Sequence, residues 1–160
     1  HLVGKNGAGK STLLDMIHQQ NFVDDDPVFV AGRSVYLDQN FSFLDPKRNA
    51  IDNLKPFNTN FSDTEWRNLL GQLRLRGDKA TLGIKHLSGG EKLKVALLAL
   101  SQSEQAIDLL LLDEPENHLD LDSRELLANT IADFTGAVIL VSHDQAFVDQ
   151  CNISQHYELI

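Results

Sequence analysis

Gly4-Lys5-Asn6-Gly7-Ala8-Gly9-Lys10-Ser11-Thr12 decides the reading of this chain, because its spacing is G-x-x-x-x-G-K-[ST]. Glycines at these intervals let the backbone fold tightly, so that several N–H groups converge on phosphate oxygens with no Cβ in the way. The loop then feeds a helix N-terminus, whose dipole and unpaired amides favour an anion. Lys10 adds a mobile point charge for the outer phosphates, and the Ser11 hydroxyl is suited to Mg²⁺. The surroundings agree. Apolar Leu2 and Val3 precede the loop as a strand end should, and Leu13, Leu14 and Ile17 follow at helical spacing.

Outward from the loop, the pattern alternates. A helix is expected from about Lys10 to Gln19, then β-rich stretches at Val28–Gly32 and Ser34–Leu37. From about Phe41 to Lys85 the chain carries Pro46, Pro56, several Asn residues and short helical patterns. One helix there is well signalled: Ser62-Asp63-Thr64-Glu65 is a capping box, and Trp66, Leu69, Leu70 and Leu73 form its apolar stripe. Leu109–Leu112 is a continuous apolar run, as in a strand covered on both faces. Asp122–Glu125 is expected to cap a helix carrying Leu126, Leu127, Thr130, Ile131 and Phe134, and Ala137–Val141 to be another buried strand. Strands alternating with helices imply a doubly wound parallel sheet, with ligands at the carboxyl ends of the strands. The loop, Asp113 and His143 all fall at such ends.

Two further motifs carry chemistry. Leu109–Leu112 runs into Asp113-Glu114-Pro115, so two carboxylates stand just beyond a strand, where the turning chain lets both face one site. Asp113 suits a Mg²⁺-holding role and Glu114 a general base for an attacking water. Leu87-Ser88-Gly89-Gly90-Glu91 reads as a helix start, with Ser88 as N-cap, Glu91 completing the box, and Leu93, Ala96, Leu97 and Leu100 as the stripe. Two glycines just inside a helix cost about 0.8–1 kcal/mol each against alanine. Something must approach that backbone closely, and a phosphate is the natural candidate. It cannot be the phosphate held beside Lys10, so the Ser88 helix of one copy is expected to cover the nucleotide of another.

With these motifs in place the chain resembles the nucleotide-binding domain of the ATP-binding cassette (ABC) superfamily. The resemblance implies an α/β fold, a P-loop NTPase parallel-sheet core with an inserted small helical subdomain. It divides the single domain at 1–160 into a RecA-like core (1–40 and 86–160) and helical residues 41–85. It implies ATP contacts from Gly4, Asn6, Gly7, Ala8, Gly9, Lys10, Ser11, Thr12 and Gln39. Mg²⁺ would be held by Ser11, Gln39 and Asp113, and catalysis carried by Glu114, His143 and Lys10. Ser88, Gly89, Gly90 and Glu91 match the signature that acts on a partner cassette, Asp120 matches the D-loop at the dimer interface, and Gln39 and His143 match the Q-loop and switch positions. The run Asp113–Asp120, with Asn117-His118, and the run Ser142–Phe147 resemble the ABC-F branch. Those are soluble tandem-cassette ATPases that act on the ribosome. The interval from Lys10 to Ser88 leaves no room for the long charged arm of a first cassette in that branch, so a second cassette, or a member with a very short arm, is favoured. Glu116 and Gln145 depart from the threonine and arginine usual in the family. The adenine-stacking aromatic of the superfamily lies on strands that precede His1 in that pattern.

Composition bounds the remaining readings. The 160 residues suffice for one domain with a real core, and no apolar run approaches bilayer length. The net charge of −9 repels a phosphodiester backbone, so this piece alone is not expected to track nucleic acid nonspecifically. Ribosome contacts are therefore expected from regions outside it. Cys151 is the single cysteine, which makes a reducing cytoplasm the default and a buried or idle thiol the simplest reading. Asp24-Asp25-Asp26 reads as a solvated turn, and no zinc is expected. Both ends read as cut, so the chain is expected to be a piece of a longer protein. The competing function class is the ATP-hydrolysing motor subunit of an ABC membrane transporter, against which Asn117-His118 speaks. Cassette ATPases of chromosome maintenance carry long insertions that are not seen here, and a non-catalytic module is disfavoured because every catalytic position is filled.

Overall fold

The structure, a computed structural model, describes residues 1–20 and 32–160. The Asp24–Asp26 turn and the residues 28–31 of the expected strand lie outside the described residues. The elements run β1 (Leu2–Val3), α1 (Lys10–Gln19), β2 (Ser34–Asp38), α2 (Ala50–Leu54), α3 (Asp63–Gln72), α4 (Asp78–Thr81), α5 (Gly89–Ser101), β3 (Leu109–Asp113), α6 (Leu121–Ala132), β4 (Ala137–Val141), α7 (Gln145–Gln150) and β5 (Tyr157–Glu158). A 3₁₀ turn, Ile84–His86, leads into α5.

Among the described residues, every strand pair is parallel. β2, β3 and β4 lie side by side in that order, with Asp38 level with Asp113 and Asp113 level with Val141. β1 pairs with β5 and lies beside β4, where the His1 Nε2–H donates to the Ser142 carbonyl at 3.0 Å. Four strand ends, Val3, Asp38, Asp113 and Val141, consequently open on one edge, the edge where ligands bind in such sheets.

The apolar run of β3 explains the layering. Leu109 and Leu111 pack with Leu14 and Ile17 of α1 on one face. Leu110 and Leu112 pack on the other face with α5, α6, α7 and the small helices α2–α4. A strand covered twice needs no polar alternation. On β2 the alternation returns: Val35 and Leu37 are buried, while Ser34, Tyr36 and Asp38 share the α1 side and are only half-buried. The Ser62–Glu65 capping box forms, and Trp66 and Leu70 are fully buried, with Phe61 edge-on to Trp66 at 5.0 Å.

Three expectations need correction. The helix expected to be capped by Asp122 is capped instead by Asp120, whose carboxylate accepts from the Ser123 amide at 2.9 Å. Its buried face is Ser123, Leu127, Ala128 and Ile131, leaving Leu126 exposed, because α6 touches the core with a narrower stripe than its leucines suggested. Strand β4 is buried only at Leu140 and Val141; Ala137 is exposed, since a groove opens beside its first residues, between α1 and the Cys151–Tyr157 segment. Helix α5 buries Leu93, Val95, Ala96, Leu98 and Ala99, while Leu97 and Leu100 of the expected stripe are only partly buried, because the helix is packed between the sheet and the small helices.

Leu111 is fully buried at the centre of the α1 face. Leu111→Ala is expected to destabilise the protein by about 2–5 kcal/mol, read as a lowered urea midpoint with an unchanged slope. A midpoint equal to wild type would contradict the two-faced packing of β3.

Candidate functional site

The helix ends distinguish the site electrostatically. Helices α3, α5 and α6 each have a side chain capping the N-terminus and an acidic residue in the first turn. Helix α1 has neither: its N-cap is Gly9 at φ 95°, with no side-chain cap and no acid in the first turn. Its leading amides and its positive dipole end are left for an anion. The loop that presents them depends on glycine at two places for different reasons. Gly9 needs the left-handed backbone. At Gly4 a Cβ would lie 2.7 Å from the Leu159 carbonyl oxygen, a backbone atom that cannot swing aside.

Lys10 is not the mobile charge that its sequence suggests. It is buried, and its ammonium donates to the carbonyls of Gly4 at 2.8 Å and Lys5 at 3.2 Å. The charge is thereby fixed inside the loop's own curve. Asn6, Gly7, Gly9, Lys10, Ser11 and Thr12 line a cleft of about 400 Å³ whose opposite wall is Asp113 and Glu114. Gly4 and Ala8 shape the loop without lining that cleft: the Ala8 amide closes a turn on the Lys5 carbonyl at 3.0 Å.

An adjoining cleft brings Ser11, Gln39 and Asp113 together with Tyr36, Asp38 and Glu114. Its donors are hydroxyl, amide and carboxylate oxygens, the hard set that Mg²⁺ prefers. The group therefore fits the ion. Tyr36 OH donates to Asp113 Oδ2 at 3.0 Å. Burial, then the Asp113 carboxylate, push the phenol above its ordinary pKa, so it stays a donor and fixes the carboxylate's orientation. Asp38 in turn accepts from the amides of Asn40 and Ser42, at 3.2 and 2.8 Å, and so shapes the turn that carries Gln39.

Glu114 sits at φ 48°, a left-handed conformation that costs a non-glycine residue about 1–3 kcal/mol. Its amide is tied to the Val141 carbonyl at 2.8 Å. Asn117 Nδ2 donates to Glu114 Oε2 at 2.8 Å, and His143 Nε2 lies 3.3 Å from Oε1. The carboxylate is thus aimed by two side chains while facing the cleft. His143, Glu114, Asn117 and His118 also line a polar cavity with Glu116, Arg124 and Asp144.

The Ser88 end of α5 has close neighbours within the chain that the sequence did not reveal. Ser88 Oγ accepts from the Glu91 amide at 3.3 Å, and Glu91 Oε2 accepts from the Ser88 amide at 3.0 Å. Lys79 pairs with Glu91 and, with the Ser88 amide, holds that carboxyl below its usual range. The two glycines are explained within the chain. A Cβ at Gly89 would come 3.1 Å from the His118 carbonyl oxygen, and one at Gly90 would come 2.4 Å from Ser123 Oγ. Within the chain, the close approach is by the His118 turn and by the first turn of α6. Ser88 is exposed and lies in neither cleft described above. Asp120 is used as the α6 cap. Tyr36 and Ser142 were missed as participants; the period of two along β2, which sets Tyr36 on the face of Asp38, is the signal for the first.

The sequence matches the family model described as ABC transporter over residues 1–117. The chain belongs to the ABC family. Within it the chain resembles the ABC-F branch. The ATP-binding protein Uup of Escherichia coli (strain K12) is 36% identical over 154 residues, covering 92% of this chain and 24% of Uup. The ribosome protection protein VmlR of Bacillus subtilis (strain 168) is 35% identical over 155 residues, covering 96% of this chain and 28% of VmlR. A solved structure of RNase-L Inhibitor superposes with a TM-score of 0.66 at 25% identity, over 94% of this chain and 30% of that one. The ABC chain spans about a quarter of the length of the curated relatives it matches. Among the described residues no helix is long and apolar enough to cross a membrane.

Gly4→Ala must push the Leu159 backbone away from the loop's first residue and loosen the β1–β5 pair. The expected cost is about 1–3 kcal/mol, visible as a lower melting temperature of the intact protein. An unchanged melting temperature would contradict the contact.

Proposed function

We propose that this ABC chain is one cassette of an ATP-hydrolysing clamp of the ABC-F type, working in the cytoplasm on the ribosome. The observation that carries the reading is the facing of an uncapped α1 N-terminus by Asp113 and Glu114 across one cleft. An anion cradle and a carboxylate pair on opposite walls are what hydrolysis of a phosphoanhydride requires. The ribosomal part rests on the description of VmlR as a ribosome protection protein and on the resemblance of Asn117-His118 to that branch. Asn117 has a physical use here, since it aims Glu114. The alternative, a transporter motor subunit, draws only on the family model's description.

In this reading the amides of Gly7 to Thr12 and the fixed Lys10 ammonium offset charge on the phosphates, with Asn6, Gly7 and Ala8 shaping the cradle. Bound Mg²⁺, held by Ser11, Gln39 and Asp113, would supply Lewis-acid stabilisation of the phosphate oxygens. Glu114 accepts hydrogen-bonding from the attacking water and His143 orients Glu114 and the γ-phosphate. The unit divides as a core of residues 1–40 and 86–160 with a helical subdomain at 41–85. Ser88, Gly89, Gly90 and Glu91, with Asp120 nearby, serve the nucleotide of a second cassette, in the same polypeptide or a second copy. For Ser88 the support is its exposure and the amides of Gly89 and Gly90, which lead α5. Ribosome contacts belong to regions outside these residues, in keeping with the charge of −9.

Glu114→Gln keeps the shape of the site and removes the base. Turnover in the intact protein is expected to fall by about 10²–10⁴, with ATP retained and the paired cassettes held closed on size-exclusion. Hydrolysis at the wild-type rate would refute Glu114 as base, and failure of wild type to bind ATP would refute the whole reading.

A further inference from the structure

His143 is more than half exposed (56%), so packing does not hold its ring against Glu114. What holds it is the backbone on either side. Before it, Ser142 is buried and engaged at three points: its carbonyl accepts from His1 Nε2 at 3.0 Å, its hydroxyl oxygen accepts from the Asp144 amide at 3.0 Å, and the same hydroxyl donates to Glu116 Oε1. After it, Asp144 caps α7 by accepting from the Phe147 amide at 3.1 Å and pairs with Arg124 of α6. Two of these ties, from the amides of Asp144 and Phe147, are local to the turn, and those to Arg124 and His1 reach α6 and the lead-in to β1. The bond to Glu116 is different, because it reaches across to the segment that carries Glu114.

Glu116 is a costly residue in this place. It is only 5% exposed, and its Oε2 has no hydrogen-bond partner among the described residues although it lines the polar cavity with His143, Arg124 and Asn117. A buried carboxyl kept half-satisfied costs free energy that an apolar residue would not. Its main chain belongs to the same turn as the carboxylate it serves, since the Leu119 amide donates to the Glu116 carbonyl at 3.2 Å and the Asn117 amide to the Glu114 carbonyl at 3.2 Å.

The geometry points to Glu116 as a positioning residue that clamps the Ser142–Asp144 turn to the Glu114 turn and so sets the His143–Glu114 distance. It deepens the ATPase reading and rests on it for its effect on turnover. Glu116 touches no substrate; it acts through Ser142. Loss of the clamp leaves the anion cradle at Lys10 untouched, so nucleotide binding is spared while the chemical step suffers.

The test uses the intact protein with Glu116→Leu, which removes the acceptor, and Glu116→Gln, which keeps it. Glu116→Leu is expected to lower kcat by about tenfold to a hundredfold through misplacement of His143, with the KM for ATP within about twofold of wild type. Glu116→Gln recovers most of the lost turnover. Imidazole ¹H–¹⁵N spectra without nucleotide, assigned with His143→Gln, are expected to show the His143 signals displaced in Glu116→Leu and restored in Glu116→Gln. Should Glu116→Leu not fold, Ser142→Ala removes the same bond from its other end and carries the same expectations. Wild-type turnover in the Leu variant, or a Gln variant as impaired as the Leu variant, overturns the clamp. If wild type hydrolyses no ATP, the ATPase reading falls by itself, and the spectra still decide: unmoved His143 signals in Glu116→Leu overturn the clamp, and displaced signals support it.

Discussion

Strand β3 is pressed from both sides, and the site exists because of that pressure. Leu109 and Leu111 lock to α1 while Leu110 and Leu112 lock to the helices opposite. With β3 so held, the registers to β2 and β4 follow, and Asp38, Asp113 and Val141 finish level with one another. Helix α1 is bound to the same face, which puts its open N-terminus over the end of β3. A carboxylate at a strand end and an anion cradle at a helix start are thus brought together by aliphatic packing, not by any attraction between them.

The polar layer above that core divides helix ends by purpose. Ser62, Ser88 and Asp120 close the starts of α3, α5 and α6 with their own oxygens. At α1 a glycine stands where such an oxygen would be. The remaining polar contacts at the sheet edge mostly aim carboxylates. Tyr36 fixes Asp113, Asn117 and His143 fix Glu114, and Ser142 joins Glu116 to the turn carrying His143. In a partly desolvated cleft such orientation matters more than in water, since misaimed dipoles are not rescued by solvent.

Much of this was legible in the chain. Motif spacing located the loop, the carboxylate pair and the Ser88 helix, and the continuous apolar run Leu109–Leu112 announced a strand covered on both faces. The failures share a physical origin in contacts between distant segments. Asp122 and Asp120 are equally good cap residues locally, and only the path of the chain out of the Glu114 turn selects Asp120. Leu126 is as apolar as Leu127, yet the angle of α6 on the core exposes it. The Gly89-Gly90 pair correctly announced a close neighbour but could not name it, because His118 and Ser123 meet α5 only after folding. Lys10 looked free because its partners are carbonyls, which a sequence does not display.

The same glycine pair has a steric meaning. At Gly89 the backbone of α5 lies against the His118 carbonyl, and at Gly90 against the Ser123 hydroxyl. Any residue with a Cβ at either position would have to displace the His118 turn or the first turn of α6, so only a glycine pair lets the Ser88 end of α5 sit this close to the segment that leads out of the Glu114 turn.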